Sequence, residues 1–300
     1  MQKTLILKLG ALGDVLRTTT LLRVLPPGVT WMTSAKSAPL LEQNPFIERL
    51  CLGESLDGSI LREPFDLVIN LEDEIAAARL AAQVTADRRL GPYVGENGVA
   101  YDEASRAWFD MSLSSRFGRE KADELKRENS KSYQELIFGM LGKKFEGQEY
   151  VLKSPNGVAP VPGLIGLESR VGDVWPMKQW NKFDGLAREL ERLGFRLKFF
   201  EQRPRLEQYI KDVQECEVVV SGDTLAMHIA LALRKKVVAI FTCTSPQEIH
   251  DYGRLIKIVS PVWEKYFYRR EYIPEAADAI PLYQVLDAVL AQAGRRRAGS

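Results

Sequence analysis

The stretch Val218–Phe241 constrains the fold most, because it has the pattern of a buried strand, a helix and a second buried strand. Val218–Val220 is a β-branched run, an apolar helix containing His228 follows, and Val237–Phe241 is again β-branched and apolar. Strand–helix–strand units of this kind build parallel sheets. Polar residues gather where the first strand becomes the helix, which is the edge at which open α/β sheets bind their ligands.

Three polar side chains mark that turn. Asp223 and Thr224 precede the helix, and His228 lies within about one turn of its start. Free N–H groups at the start of a helix favour a phosphate. Two interpretations stay open: the three residues contact a ligand, or Asp223 and Thr224 only cap the helix and His228 is a core histidine. The next strand is followed by Thr242–Pro246, where Thr244 could bind phosphate or sugar, or the stretch could cap a helix at 246–248.

The same alternation of strands and helices runs along most of the chain. It is interrupted at 155–163 by the densest cluster of proline and glycine, where we place a linker. The segment 92–150 differs, being charged and aromatic. The predicted class is therefore α/β, with two doubly wound, Rossmann-like domains at 1–155 and 156–300 that face each other across a central cleft.

The predicted elements are as follows. Predicted strands are Leu5–Leu9, Val29–Thr33, Asp66–Asn70, Leu164–Leu167 and Phe195–Phe200, besides the two above. Predicted helices are Val15–Leu25, Ala38–Asn44, Glu74–Val84, Glu120–Asn129, Ser132–Leu141, Asn181–Leu193 and Pro281–Ala293.

Composition excludes several classes of function. The 300 residues carry a net charge of +1, which gives no overall field for nucleic acid. The three cysteines, Cys51, Cys216 and Cys243, are odd in number and far apart, which favours reduced thiols in the cytoplasm. No apolar run approaches the ~18 residues of a membrane helix, and the apolar start is too short for a signal peptide. The tail from Arg295 is expected to be frayed, with weak docking on anionic lipid as the alternative.

A glycine-containing turn follows the first strand. Gly10 and Gly13 are expected to let the backbone turn sharply and a ligand approach closely. Asp14 follows at the start of the next helix, where the helix dipole favours the carboxylate and a proton could still be taken from a well-placed hydroxyl. The alternative is that Asp14 is an N-cap and the glycines serve the turn alone.

A second polar loop follows the strand Leu164–Leu167. Lys178 comes just before a helix, where its charge could meet a phosphate. Arg170 and Ser169 could assist it. The alternative is a tryptophan-anchored loop with a solvated lysine.

An aromatic and basic stretch, Trp263–Tyr272, comes late in the chain. Stacking on a sugar ring is one interpretation of it. Packing of this loop on the surface of its own domain is the favoured one.

Three stretches in order resemble glycosyltransferase family 9, the ADP-heptose:lipopolysaccharide heptosyltransferases. They are LILKLGALGDVLRTTTLLRVL, GLESRVGDVWPMKQWNKFDGLARELERLGFRLKFF and VVVSGDTLAMHIALALRKKVVAIFTCTSPQEI. The resemblance covers residues 4 to about 290 and is weakest over 92–150. It implies a GT-B fold with an N-terminal acceptor domain, a C-terminal nucleotide-sugar domain, and inverting chemistry without a metal or other cofactor.

The resemblance also implies roles for individual residues. Asp14 would take the proton of the acceptor hydroxyl, and Lys178 would neutralise the diphosphate leaving group. Asp223 would hold sugar hydroxyls. The other implied donor-side residues are Thr224 and His228 at the diphosphate or sugar, Glu201 at the ribose, and Ser169, Arg170 and Thr244 in the adjoining loops. The implied acceptor-side residues are Gly10, Gly13 and Arg17.

Several positions depart from the family pattern. Arg17 stands where many members carry histidine, and Leu225 replaces a glycine. Thr242-Cys243 replaces Gly-Pro, and Glu168-Ser169-Arg170 replaces a run of small residues. All but the first lie in the donor half, so the identity of the donor is less constrained than the fold.

The leading hypothesis is a monomeric cytoplasmic transferase that moves heptose from ADP-heptose to a lipopolysaccharide-type glycan or glycolipid. Peripheral contact with the inner-membrane surface fits such an acceptor, and no nucleic-acid partner is expected. One alternative keeps the fold but uses another nucleotide sugar and another acceptor. The other is a non-catalytic protein that binds nucleotide sugars.

Overall fold

The computed structural model of the protein describes residues 2–53, 58–96 and 98–295. Its contacts divide the chain into two compact units, Met1–Lys153 and Ser154–Ser300, called here the N-terminal and C-terminal units. The boundary expected from the sequence lies two residues further along. Each unit has its own five-stranded sheet.

The N-terminal unit is built on a parallel sheet whose strand order is β3-β2-β1-β4-β5. The strands are β1 Thr4–Leu7, β2 Val29–Thr33, β3 Ile47–Leu52, β4 Phe65–Asn70 and β5 Ala86–Leu90. Strand β1 is central and its residues are fully buried on both faces, as expected of a parallel strand covered by helices. The order reverses between β1 and β4, so the carboxyl ends of these two strands form the switch point where such sheets bind ligands.

Six α-helices belong to the described part of this unit, of which three alternate with the strands of the sheet and three follow it in the chain. They are α1 Leu12–Thr18, α2 Ser59–Arg62, α3 Ile75–Gln83, α4 Arg106–Phe109, α5 Arg119–Glu128 and α6 Tyr133–Met140. Between α3 and α4, β6 Pro92–Gly95 and β7 Gly98–Tyr101 pair antiparallel. Helix α6 has a capping box, in which the Ser132 hydroxyl accepts from the Glu135 N–H and the Glu135 carboxylate accepts from the Ser132 N–H.

The C-terminal unit repeats the architecture with the order β12-β11-β10-β8-β9. Its strands are β8 Leu164–Glu168, β9 Arg196–Phe199, β10 Val218–Gly222, β11 Lys236–Phe241 and β12 Leu255–Val259. Its helices are α7 Phe183–Arg192, α8 Leu206–Glu215, α9 Leu225–Ala232, α10 Pro274–Asp278 and α11 Leu282–Gln292. All strand pairs are parallel, and the order reverses between β8 and β10, which makes their carboxyl ends the switch point of this unit.

The predicted α/β class with two doubly wound sheets is confirmed, but two predicted helices are wrong in extent. The helix expected at Val15–Leu25 ends at Thr18 and continues as a 3₁₀ helix, Thr19–Arg23. Three consecutive threonine hydroxyls there donate to carbonyls three or four residues back, which competes with a regular α-helix. The helix expected at Ala38–Asn44 is one 3₁₀ turn, Ala38–Leu40, because the backbone reaches the left-handed region at Gln43 (φ 56°).

Two further predictions are corrected near the end of the chain. The helix considered at 246–248 is a turn closed by a bond from the Ile249 N–H to the Pro246 carbonyl. Arg295, expected in a frayed tail, donates to the Leu193 carbonyl at 3.1 Å and lies over the ring of Phe195. The rest of that tail, 296–300, lies outside the described residues. Within those residues, no helix has the length and apolarity needed to cross a membrane.

Candidate functional site

The loop after β1 is fixed by a carboxylate from the neighbouring strand end. Glu72, two residues past β4, accepts from the backbone N–H groups of Leu9 and Gly10 at 2.6 and 3.2 Å. The same oxygen lies 3.0 Å from the ammonium of Lys8, which is 8% exposed. Glu72 therefore joins the two strand ends of the N-terminal switch point. Glu72 was not predicted from the sequence, although its position directly after a buried strand could have indicated it.

The two glycines of this loop do not have the backbone role expected of them. Gly10 has no left-handed φ, and Gly13 lies inside α1. The expectation of a sharp turn that requires glycine is therefore wrong. A Cβ at Gly10 would meet nothing within 4 Å, so close approach of a ligand stays a prediction.

Asp14 is the third residue of α1, and its side chain is 38% exposed. The N-cap is Ala11, whose side chain makes no capping bond, so the interpretation of Asp14 as an N-cap is wrong. Its Oδ1 lies 2.8 Å from a guanidinium nitrogen of Arg17, one turn further along the helix. Arg17 is 9% exposed and lies over the ring of Tyr133. An exposed carboxylate held by a buried cation is an arrangement that could accept a proton from a hydroxyl.

At the C-terminal switch point, Lys178, Asp223 and His228 come together. The Lys178 ammonium donates to Oδ2 of Asp223 at 2.9 Å and to the backbone carbonyl of the same residue at 2.6 Å. The His228 Nε2 lies 3.9 Å from Oδ1 of Asp223. Lys178 and Asp223 are 17% and 16% exposed, so the interpretation of Lys178 as a solvated lysine is wrong.

Asp223 is held in its ionised form by these neighbours. Burial alone raises the pKa of a carboxyl group, because it disfavours the charged form. Here the charge of Lys178, the proximity of His228 and the hydrogen bond from Lys178 outweigh burial and hold the pKa of Asp223 well below its usual range. The Thr244 hydroxyl is near enough to contribute to this lowering, although it makes no hydrogen bond of good geometry. The site thus presents a fixed anion and a fixed cation side by side.

The turn that carries Lys178 is anchored on three sides. Pro176–Lys178 is a 3₁₀ turn whose middle residue, Met177, is fully buried. The Met177 carbonyl accepts from the Thr242 hydroxyl at 2.7 Å, and its N–H donates to the Arg270 carbonyl at 3.1 Å. A Cβ at Gly222 would lie 3.4 Å from the Lys178 carbonyl, so the end of β10 and this turn pack closely. These contacts fix where the ammonium can reach.

Thr224 is the N-cap of α9, but its side chain makes no capping bond. Its hydroxyl instead pairs with that of Ser221 at 2.7 Å. Thr224 therefore occupies the N-cap position, as the capping alternative expects, but its hydroxyl does not cap the helix. His228 is 4% exposed on the first turns of the same helix.

The loop after β8 carries a buried carboxylate that the sequence analysis counted only as a departure. Glu168 is 4% exposed and accepts from the Arg170 guanidinium at 2.9 and 2.8 Å and from the Tyr209 hydroxyl at 2.5 Å. Arg170, predicted to bind the donor, is thus held within its own loop, with 43% of its side chain exposed. Ser169 beside it is half-buried. Glu201, the predicted ribose ligand, is 72% exposed and lies 3.4 Å from Arg203.

The aromatic and basic stretch packs against these loops. The Trp263 indole donates to the Thr244 carbonyl at 2.7 Å, and the Tyr268 N–H donates to the Cys243 carbonyl at 2.9 Å. Arg270 lies over the ring of Trp175, 4.9 Å from its centroid. These contacts agree with the favoured interpretation of a packed loop. A groove of about 480 Å³ lies beside it, at the end of β12, and is lined by residues 259–265.

Metal ligands are not grouped in the described parts of the chain. Over residues 2–53, 58–96 and 98–295, no three side chains of His, Cys, Asp or Glu lie close enough together to hold a metal ion. Lys178 and Arg170 are cationic side chains near the carboxyl ends of β8 and β10.

The sequence and the fold are similar to those of known proteins. The family model described as glycosyltransferase family 9 (heptosyltransferase) matches residues 201–272, which include Asp223, Thr224, His228 and Thr244. No curated protein matches the sequence. Among solved structures, the family 9 glycosyltransferase of Veillonella parvula is 19% identical, with a TM-score of 0.68, and 97% of each chain is covered.

Two proteins of E. coli have similar folds. The ADP-heptose lps heptosyltransferase II is 16% identical with a TM-score of 0.67, and the coverage is 97% of this chain and 98% of that one. The heptosyltransferase WaaC with ADP is 17% identical with a TM-score of 0.62, over 97% and 99% of the two chains. The predicted GT-B fold class is confirmed by these similarities. The cleft predicted between the two domains stays a prediction.

Proposed function

We propose that this chain, which resembles glycosyltransferase family 9 in its fold and in residues 201–272, is a glycosyltransferase that moves a sugar from a nucleotide sugar to a hydroxyl group of a glycan or glycolipid. The reaction inverts the anomeric centre in a single displacement and uses no metal ion. The acceptor binds the N-terminal unit, and the donor binds the C-terminal unit.

The observation that carries the proposal is the contact of Lys178 with Asp223 at the C-terminal switch point. An ammonium group has three N–H donors, and two of them are used on the carbonyl and carboxylate oxygens of Asp223. Among the described residues the third makes no hydrogen bond, although the ammonium lies 5.6 Å from the centroid of the Trp175 ring, and it suits a phosphate oxygen. Helix α9 starts directly after Thr224, so its free N–H groups add a second anion-binding element.

The residues of this site divide the work of donor binding. The Asp223 carboxylate, kept ionised, accepts hydrogen bonds from sugar hydroxyls. Lys178 and the N–H groups at the start of α9 stabilise the negative charge that grows on the diphosphate as the bond to the sugar breaks. Thr224, His228 and Thr244 line the same turn and contact the diphosphate or the sugar. Lys178 thus supplies the charge neutralisation that a metal ion supplies in other transferases.

Asp14 is the proposed general base. The oxygen of the acceptor hydroxyl attacks the anomeric carbon, the bond from that carbon to the phosphate oxygen breaks, and its electron pair leaves with the nucleoside diphosphate. The proton of the hydroxyl passes to the Asp14 carboxylate. Support for this role comes from the partial exposure of Asp14 and its place in the first turn of α1, beside the N-terminal switch point.

ADP-heptose is the first candidate donor, and a lipopolysaccharide-type glycan is the first candidate acceptor. The names of the two E. coli proteins support this choice. A different nucleotide sugar is the second candidate, and a specific observation favours it. Arg170 is held on the buried Glu168 carboxylate, so a nucleotide sugar would meet a salt bridge at the loop after β8, where the family pattern has a run of small residues.

The setting of the reaction is also part of the proposal. The three cysteines are free thiols, two of them buried, which supports a reducing compartment and hence the cytoplasm. We propose a monomer that meets its glycolipid acceptor at the cytoplasmic face of the inner membrane.

A thermal-shift screen tests the donor. The melting temperature of the full chain is measured without ligand, with ADP, GDP or UDP, and with an ADP-, GDP- or UDP-sugar. A ligand at a hundred times its Kd should stabilise the folded state by about 2.7 kcal/mol. We expect an ADP-sugar to give the largest shift and Lys178→Met to lose it, while the exposed Lys265→Met keeps it.

Each outcome has a defined meaning. A larger shift with a GDP- or UDP-sugar selects the second candidate donor. Binding without product from any acceptor supports the non-catalytic alternative. No shift with any nucleotide sugar would contradict the proposal.

A further inference from the structure

Asp14 is connected to a second side chain by two separate routes that meet at Tyr133. In the first route, the Thr18 hydroxyl donates to the Asp14 carbonyl at 2.7 Å, and the Tyr133 hydroxyl lies 2.7 Å from the Thr18 oxygen. Because the Thr18 proton is used on the carbonyl, Tyr133 is the donor in the second bond. In the other route, the Arg17 guanidinium contacts the Asp14 carboxylate at 2.8 Å and lies 3.8 Å from the centre of the Tyr133 ring.

The geometry of Arg17 suits this arrangement. A guanidinium group stacks its flat face on an aromatic ring and donates in its own plane, so one group can serve both contacts. Tyr133 itself is 2% exposed and packs edge-on against Trp108, with ring centroids 4.9 Å apart. Burial raises the pKa of Tyr133 well above its usual range, which keeps the hydroxyl protonated as a donor. The ring and the hydroxyl of one rigid residue thus support both ends of Asp14.

The supporting residues come from the segment that the sequence analysis left without a function. Trp108 lies on α4 and Tyr133 opens α6, while Lys126 of α5 lies over the Trp108 ring at 4.9 Å and is 7% exposed. Helices α4 and α6 therefore place two packed aromatic rings against Arg17 of α1, and α5 adds Lys126 over one of them. Such packing restricts Arg17, and through it Asp14, to one orientation.

We propose that Arg17 is a positioning residue, which, clamped on Tyr133, orients the Asp14 carboxylate and keeps it ionised for proton transfer. This inference rests on the proposed function of Asp14 as the base. It replaces the acceptor-side role expected for Arg17, because a guanidinium that is 9% exposed and bonded to Asp14 has little surface to offer an acceptor.

The other ionisable groups near Asp14 bear on its pH dependence. They are Arg17 on the same helix, Tyr133 on α6, Lys126 on α5, and Glu72, which is paired with Lys8. Arg17 is the cation in contact with the carboxylate. Its loss should therefore move the acid limb of the pH–rate profile, whereas loss of orientation alone should lower the rate at every pH.

The test compares four variants by pH profiles of kcat, by KM for the acceptor, and by donor Kd. Arg17→Met keeps an apolar stem on Tyr133 but removes the charge. We expect the pH below which kcat falls to rise by about one unit, a small shift for a lost ion pair because Asp14 is partly exposed. The plateau kcat should fall about tenfold. Arg17→Lys keeps the charge without the planar fork, so the limb should stay while the plateau falls several-fold.

Two further variants complete the design. Tyr133→Phe removes the hydroxyl donor but keeps the ring, and should lower the plateau without moving the limb. Arg192→Met removes a matched contact with the Glu189 carboxylate, three residues away on the exposed face of α7, and should change nothing. Donor Kd should be unchanged in all four proteins. If Arg17→Met does not fold, Arg17→Lys and Tyr133→Phe carry the test.

The failures are distinguishable. If Arg17→Met keeps the wild-type limb and plateau, the positioning role is overturned. A raised acceptor KM with unchanged saturating kcat would make Arg17 an acceptor ligand and would overturn it as well. If Asp14→Asn, measured in parallel, keeps full turnover, the proposed base itself is wrong.

Discussion

The Lys178 ammonium lies 2.9 Å from the Asp223 carboxylate and 2.6 Å from the carbonyl oxygen of the same residue. Two loops that are far apart in the sequence therefore meet as a fixed pair of opposite charges at the end of β10. The pair is 16–17% exposed, so water screens it only in part. A diphosphate bound here would meet a cation that is already oriented, which lowers the cost of ordering it on binding.

Lys178→Met should weaken binding of the sugar donor by about 1.5–3 kcal/mol, or about ten- to a hundredfold in Kd, because a charged N–H group that hydrogen-bonds the phosphate is lost. Calorimetry with the donor found in the thermal-shift screen measures this change. Lys265→Met is the matched control, since Lys265 pairs with the exposed Glu275. Equal donor affinity in wild type and Lys178→Met would show that the lysine serves Asp223 alone.

Asp223 also makes a prediction about acid stability. Its pKa is lowered in the folded state, mainly by the charge of Lys178 acting against burial. A carboxyl with a lowered folded pKa adds stability above its unfolded pKa of about 3.9, and this is lost as the pH falls through the folded pKa. The difference in unfolding free energy between wild type and Asp223→Asn should therefore be constant from neutral pH to about pH 5 and shrink only in stronger acid. A difference that grows as the pH falls from about 7 to about 5 would mean that burial prevails, that the folded pKa is raised, and that the carboxyl takes up a proton in the fold.

The cysteines should differ in reactivity. Cys216 and Cys243 are fully buried, and burial raises the pKa of their thiols to about 12 and about 11. Cys51 is half-buried, and its pKa is raised too. Alkylation of the native protein at about pH 7.5 should modify Cys51 slowly and leave the other two cysteines unmodified until denaturant is added. This pH is about one unit below the pKa of a free thiol. Mass spectrometry of digested protein reads this out, and rapid native labelling of Cys243 would contradict the packing of the Thr242–Pro246 loop.

The central strands and the polar turns could be predicted, because buried parallel strands have continuous apolar runs. Strands β1, β4, β8, β10 and β11 were found in this way. Since the carboxyl ends of parallel strands meet at one edge, the meeting of Lys178 with Asp223 also followed from the sequence. The edge strands β3 and β5 were missed because Ile-Glu-Arg-Leu-Cys-Leu and Ala-Asp-Arg-Arg-Leu are polar and partly exposed.

Contacts between distant residues were beyond the reach of the sequence. Nothing in the pattern around Arg17 indicates that its guanidinium lies on Tyr133, because that contact depends on how α6 packs against α1. The bonds of Glu72 to the loop after β1, and of Tyr209 to Glu168, are of the same kind. Each joins groups that are brought together only by the folded sheet and its helices.

Asp14→Asn is the most direct test of Asp14 as the general base, with transfer to a saturating acceptor and donor Kd measured on the same preparation. Asparagine keeps the size of the side chain but cannot accept the proton, so turnover should fall by about 10²–10⁴. Donor Kd should be unchanged, because the proposed donor site lies in the C-terminal unit. Turnover within a few-fold of wild type would contradict the assignment of Asp14 as the base and, with it, the mechanism proposed here.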